Sequence, residues 1–154
     1  MSYAFDWGFL LIAPFWALML LAPRWHVTRR IIASPWIAVG PAVLYLVLVL
    51  PVISMVLPVV ARPTLAGVAA LLGTPLGATL SWQHFLAFDL LVARMIYLDA
   101  EPRGIPVWLL APILLLTLLL GPLGYLCYLA YRSVSTTLRP AHAAAGADVR
   151  GPGV

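Results

Sequence analysis

The sequence predicts an all-α fold, a polytopic membrane helix bundle. It has about four transmembrane helices, Pro-kinked spans, and a short interfacial helix between the second and the third. Three observations carry this reading. First, 64% of the 154 residues are hydrophobic, only 9% are charged, and the mean hydropathy is +1.04. A soluble domain carries about 25% charged residues, and a small one leaves much of its surface in water, so so apolar a chain requires lipid as solvent. Second, long apolar runs at about 5–22, 36–61, 82–99 and 105–131 are separated by short polar breaks. Third, prolines stand inside these runs, as spanning helices tolerate when neighbours re-satisfy the freed carbonyl.

The first run is marginal in length for a crossing, which takes about 17–25 residues. Pro14 should kink it, and Trp7, Trp16 and Trp25 are placed as interfacial anchors would be. No basic stretch precedes it and no small-residue cleavage site follows before Pro23, so it is read as a retained span, not a signal peptide. A basic loop follows with Arg24, Arg29 and Arg30, read as a topogenic loop. His26 is read as a solvated member of that loop. The second run carries no charge, and Pro41, Pro51 and Pro58 should interrupt it. Residues 62–80 are rich in Gly, Thr and Pro, and Gly73, Thr74 and Pro75 should break any helix there. Each uninterrupted piece is too short to cross, which is the reason for the interfacial helix.

The third run ends in a tight polar loop, Glu101, Pro102, Arg103 and Gly104. The fourth spans 27 residues without a charge; Pro106 suits its first turn, and Pro112 with Gly121, Pro122 and Gly124 predicts a kinked or broken helix. Tyr125, Tyr128 and Tyr131 read as an interfacial belt. Residues 1–132 form one membrane-embedded domain, and 133–154, rich in Ala, Gly and Pro, form a disordered tail. Four spans divide the arginines almost evenly between the two sides; five would satisfy the positive-inside bias better but would push residues 73–75 through hydrocarbon.

The net charge of +4 comes from nine arginines and no lysine, scattered through an apolar chain, which excludes a nucleic-acid partner. Cys127 stands alone, so neither a disulfide nor a cysteine metal cluster can form within the chain. His84 and Asp89 lack the spacing that points two ligands at one ion, and no second His lies in another span, so no metal is expected. No Gly-x-Ser-x-Gly motif supports nucleophilic catalysis, and no cofactor is called for.

The informative stretch is 82–99. It carries His84, Asp89, Arg94 and Asp99 at five-residue intervals, whereas the other apolar runs are almost free of charge. Ionisable groups at membrane depth cost from about 2.5–3.5 kcal/mol upward, and they mark functional sites or buried packing pairs. A five-residue step turns about 140° around a helix, so the four charges cannot share a face. Trp82, Phe85, Asp89, Ala93 and Ile96 fall on one side; Gln83, Leu90, Arg94 and Tyr97 fall on another. This helix should therefore sit centrally and meet several neighbours. Proton chemistry is the reading left standing: His84 and Asp89 could supply an acid and a base.

These residues also resemble a family. The pattern Trp82-x-His84-x4-Asp89-Leu-x2-Ala-Arg94-x2-Tyr97-x-Asp99, followed by a Leu-rich run with Pro122-x-Gly124, is similar to that of the abscisic-acid-deficient-four family. Ala22, Pro23, Val27 through Arg30, Leu65 and Gly67 add to the resemblance, which covers about residues 6–132. It implies a multi-pass membrane protein of about four spans. The family's plant member is linked to neoxanthin formation, in which a carotenoid epoxide becomes an allenic carotenoid. That isomerisation protonates the epoxide oxygen and removes a chain proton beside the ring, without redox change, so one acid and one base would suffice. The resemblance assigns His84, Asp89 and Arg94 as catalytic candidates; Trp82, Tyr97, Asp99 and Tyr45 are expected to line the substrate. Which of His84 and Asp89 is acid and which base stays open.

The function expected is acid/base isomerisation, or binding, of a carotenoid-like polyisoprenoid in a bacterial inner (cytoplasmic) membrane. The alternative is a non-catalytic scaffold for a pigment or lipid biosynthetic complex. The partners expected are a lipophilic small molecule, the bilayer, and further copies of the chain or a biosynthetic complex.

Overall fold

The computed structural model describes residues 2–148, with side chains described for 3–135. Among the described residues every regular element is helical. The chain opens with α1 (Ser2–Leu21), which Pro14 enters without ending, then turns through Pro23 into the short α2 (His26–Ala33). Buried Thr28 closes that turn by donating to the carbonyl of Ala22 at 2.8 Å. The second apolar run is one continuous helical rod of 27 residues, Pro35–Ala61. Pro35 opens a 3-10 turn, Pro41 lies in the first turn of α3 (Val39–Val49), and Pro51 sits in the 3-10 turn Leu50–Val52 that joins α3 to α4 (Ile53–Ala61). Of the three prolines expected to interrupt the rod only Pro51 falls at a seam, whereas Pro58 lies inside α4 without ending it. Tighter 3-10 turns accommodate the hydrogen bonds that proline removes.

The expected short helix is α5 (Leu65–Leu72). Residues 73–75 break it as anticipated, and the next helix leaves at 94°. Two threonines punctuate the corner: Thr64 caps α5 by accepting from the Gly67 amide, and Thr74 caps the following helix by accepting from the Gly77 amide. Gly77 is obligatory for the bend, because a Cβ there would overlap the Leu71 carbonyl. That helix, α6 (Pro75–Ala100), starts seven residues earlier than the charged stretch alone indicated. Gly77 and Thr79 read locally as turn residues, yet both are buried within its first turns. At 1.5 Å per residue α6 is about 39 Å long, enough to cross a hydrocarbon core of about 30 Å.

After Gly104, which takes a left-handed φ of 66°, the fourth run divides. Pro106 stands just outside the helix as its cap, not in the first turn as expected. α7 (Val107–Leu119) has 13 residues and stops at Leu120; α8 (Gly121–Asp148) begins at once. The two form a hairpin. A Cβ on Gly124 would overlap the backbone of Thr117, so the helices cross with main chain against main chain at the bend. Gly121 lies against Asp89 of α6, and further along α8 Tyr128 reaches Asp99. α7 therefore runs from the polar end of α6 to its middle, and α8 comes back beside it. The backbone of α8 is helical through part of the stretch read as a disordered tail; residues 149–154 of that stretch lie outside the described residues.

Two single helices, residues 3–21 and 35–61, are long and apolar enough to cross a membrane, and a third is reached if the bent pair α5 and α6 counts as one span. α6 is the hub, packed on α1, α2, α3, α5, α7 and α8. The core joins Ile12, Trp16 and Met19 of α1 to Leu86, Leu90, Ala93 and Ile96 of α6 and to Leu110, Ile113 and Leu114 of α7. The periphery is as apolar as the core: Val47, Leu50, Met55, Leu57 and Val60 are all exposed, as lipid-facing side chains are.

Candidate functional site

Around α6 the polar side chains sort by face, as the helical angles require. Gln83, Arg94 and Tyr97 point toward α1, α2 and the turn between them. Fully buried Gln83 donates from Nε2 to the carbonyl of Ala4 at 2.9 Å and packs so tightly on Gly8 that no Cβ would fit there. Arg94 donates from Nε to the carbonyl of Ile32 at 2.9 Å and from Nη2 to that of Ala33 at 2.6 Å. It thereby satisfies the exposed carbonyls at the C-terminus of α2, where a cation is also favoured by the helix dipole. Tyr97 donates its hydroxyl to the carbonyl of Pro23 at 2.5 Å. All three are fasteners between α6 and the N-terminal helices.

Asp99 sits at the polar end of α6 in a second set of contacts. Arg103 grips it through two hydrogen bonds, Nε at 2.9 Å and Nη2 at 3.1 Å; the Tyr128 hydroxyl donates to it, and Arg132 lies 3.6 Å away. This carboxylate ties α6 to the loop after it and to α8. The hydrogen bond from Arg103 to Asp99 also raises the guanidinium's pKa. Of the expected substrate-lining residues, Asp99 and Tyr97 thus lie at the polar edge, away from both membrane-depth cavities.

The other two titratable candidates occupy separate cavities. His84 is exposed on the outer face of α6, stacked on Phe88 at 4.5 Å and set edge-on to Tyr45 at 5.9 Å. His84 and Tyr45 border a cavity of about 240 Å³ between α6 and the helices α3 to α5, lined otherwise by Phe85, Ser81 and mostly aliphatic side chains. Asp89 borders a cavity of about 300 Å³ with Trp82, Phe85, Leu86 and the hairpin tip, Leu118 to Pro122. The lone ring of Phe85 lines both cavities and separates them. His84, Asp89 and Arg94 are therefore not brought into one constellation.

Asp89 differs from Asp99, the other acidic side chain of α6. It lies near the helix middle, about 21 Å from the start and 17 Å from the end at 1.5 Å per residue. No hydrogen bond or ion pair from another described residue holds its carboxylate. Gly121 makes its place: a Cβ at that position would overlap Asp89 Oδ1. Trp82 lines the same cavity, stacked on Phe5 at 5.2 Å, with a buried indole N–H that has no partner among the described residues. A carboxyl group in an apolar cavity can bind an oxygen function and exchange a proton with it. Among the described residues no cluster of three His, Cys, Asp or Glu side chains could hold a metal ion.

Sequence reasoning gave Gln83, Gly121 and Gly124 no part in the site. Gly121 and Gly124 were noted as helix breakers, and their spacing of three was the available signal for a close helical crossing. Gln83 offered none, because its partner is 79 residues away.

The model of the ABA DEFICIENT 4-like family matches residues 3–128. The match covers most of the chain, and the chain belongs to that family. No curated protein and no solved structure matches it.

Proposed function

We propose that this chain binds the oxygenated end of a carotenoid-like polyisoprenoid in the cavity at Asp89 and isomerises it by proton transfer. The observation that carries the proposal is the unpartnered Asp89 carboxyl at mid-helix, facing an apolar cavity whose far wall is the α7–α8 tip. With an epoxide as substrate, the carboxylic acid gives its proton to the ring oxygen, and one carbon–oxygen bond breaks with its electrons left on oxygen. The electron-poor carbon is then satisfied when the neighbouring chain carbon loses its proton to the Asp89 carboxylate. A hydroxyl and a cumulated double bond result, the acid is regenerated, and no electrons are gained or lost. One carboxyl performs both transfers, so His84 need not share the cavity. The aromatic surface of Tyr45, His84 and Phe88 offers a second apolar track past Phe85 for the polyene.

The same reading includes a topology. We place three crossings, α1, the rod at 35–61, and α6, with the α7–α8 hairpin entering and leaving on one side. α7 is about 20 Å long, too short for a crossing of about 30 Å. This arrangement replaces the expected fourth span and removes the conflict over charge. Arg24, Arg29, Arg30, Arg103 and Arg132 then share one side, and Arg62 alone marks the other. The positive-inside bias puts the arginine-rich side in the cytoplasm, in keeping with a cytoplasmic membrane.

A second reading, a non-catalytic scaffold, draws support from Arg94 and Asp99, both of which are engaged in holding helices together. Pigment profiling in hosts that make epoxy-carotenoids separates the two. Conversion that disappears with Asp89→Asn, at equal levels of inserted protein, supports the isomerase. Unaltered pigments across several carotenoid hosts, with protein well inserted, would sink it; loss of protein or of partner enzymes in the variant supports the scaffold.

A further inference from the structure

A third cavity lies at the polar end of the bundle, distinct from the one at Asp89. It encloses about 340 Å³ between the α1–α2 turn, the C-terminal end of α6 and the start of α7. Its two walls differ in chemistry. One is cationic, with Arg24 and Arg29 beside His26; the other is apolar, with Ile105, Val107 and Leu110. The only acid in it, Glu101, forms an ion pair with Arg29 at 3.0 Å on the exposed rim. Exposed pairs of this kind contribute about 0–1 kcal/mol, so Arg29 can exchange its partner readily. Arg24 has no hydrogen bond or ion pair with any described residue. The cavity's position is that of a bilayer interface, since Trp25, Trp36 and Trp108 are all exposed close to it in the chain and tryptophans concentrate at that level.

An anion alone would use only the first wall, and a neutral lipid only the second. We propose that this cleft binds the headgroup phosphate of an anionic phospholipid, with Arg24 and Arg29 on the phosphate and the acyl chains descending along Ile105, Val107 and Leu110. Basic side chains next to apolar helix ends recognise anionic headgroups by this combination. Occupation would tie the α1–α2 turn to the α6–α7 loop from outside, reinforcing the Tyr97–Pro23 fastener beneath it.

The test uses the full chain in neutral detergent, with thermal stabilisation and native mass spectrometry as readouts. Dioctanoyl phosphatidylglycerol should stabilise the protein and remain bound, while dioctanoyl phosphatidylcholine should do neither. Arg24→Gln should weaken binding about fivefold and the Arg24→Gln, Arg29→Gln pair about twenty-five-fold, from the strength of one basic side chain near an anionic surface. Because Arg24 has no internal partner, its substitution keeps the test valid even if the double variant folds poorly. Arg62→Gln, outside the cleft, should leave binding unchanged, and so should Asp89→Asn, which keeps this result separate from the isomerase reading. Equal binding of the two lipids, or an equal loss with Arg62→Gln, would overturn the proposal. Inorganic phosphate or glycerol phosphate binding as tightly as phosphatidylglycerol would overturn it too, leaving a free-anion site.

Discussion

Two carboxylates stand ten residues apart on α6 and live in opposite circumstances. Asp99 lies at the polar end with Arg103, Tyr128 and Arg132 arranged around it. Asp89 lies at mid-helix with a glycine carved out beside it and no partner among the described residues. A fold that needed Asp89 only to hold helices together would be expected to supply a counter-ion, because a lone carboxylate at depth is expensive to keep. Asp99 shows that the chain can do so when holding is the task. The contrast separates a fastening carboxylate from one left free for an outside ligand, and it can be attacked from both ends.

The largest effect expected is on turnover at Asp89. Asp89→Asn should cut isomerisation by about 10²–10⁴-fold, the contribution of a positioned acid or base. Its folded stability should stay within about 0.5 kcal/mol of wild type, since no described contact is lost. Single-turnover pigment conversion alongside a chemical-unfolding titration measures both; a stability loss as large as that of Asp99 variants would erase the distinction.

Next comes the hairpin tip. Gly124→Leu must push α8 off the Thr117 backbone, and should destabilise the fold by about 3 kcal/mol or more, the upper end for overpacking where backbone cannot yield. Gly121→Ala should be milder for folding yet should displace the Asp89 side chain, lowering ligand affinity more than stability. An Asp89→Ala background should relieve the Gly121→Ala defect in stability, because the clashing atoms are gone; failure of that rescue would mean the tip does not rest on Asp89.

Much of this layout could be read without coordinates, for reasons that are local. Apolar runs, Pro51 at the seam of the second rod, and the Gly73–Pro75 corner are all determined within a few residues. So is the angular separation of His84, Asp89 and Arg94, which follows from helix geometry alone. What escaped was non-local. The hairpin depends on Gly124 meeting Thr117, and a long charge-free run gives no sign that it doubles back. Arg94 was a catalytic candidate because a charge in an apolar span demands a purpose, and its purpose lies 61 and 62 residues away in the last carbonyls of α2. The cavity at 82, 89 and 118–122 likewise exists only once the tip of the hairpin is brought against α6.

At the other end, Asp99→Ala should remove two hydrogen bonds from Arg103, one from Tyr128, and the ion pair with Arg132. Charged hydrogen bonds contribute about 1.5–3 kcal/mol each, but the Asp99 side chain is 30% exposed, which screens the loss to roughly 2 kcal/mol in all. Unfolding free energy should fall by that amount while the chemistry per folded molecule remains. Tyr128→Phe should reproduce a part of it, about 1 kcal/mol.

The smallest effect is the most discriminating, because Arg94 belongs to the same motif as Asp89 yet faces the opposite way. Arg94→Gln should lower stability by about 1 kcal/mol, the usual contribution of satisfying terminal helix carbonyls. Arg94→Lys should restore only part of it, since one ammonium cannot reproduce the guanidinium fork that spans the carbonyls of Ile32 and Ala33. Neither should change conversion per folded molecule. If Arg94→Gln instead abolished conversion with stability intact, the fastening role would be wrong, and the division of α6 into a working face at Asp89 and a structural face at Arg94 would have to be redrawn.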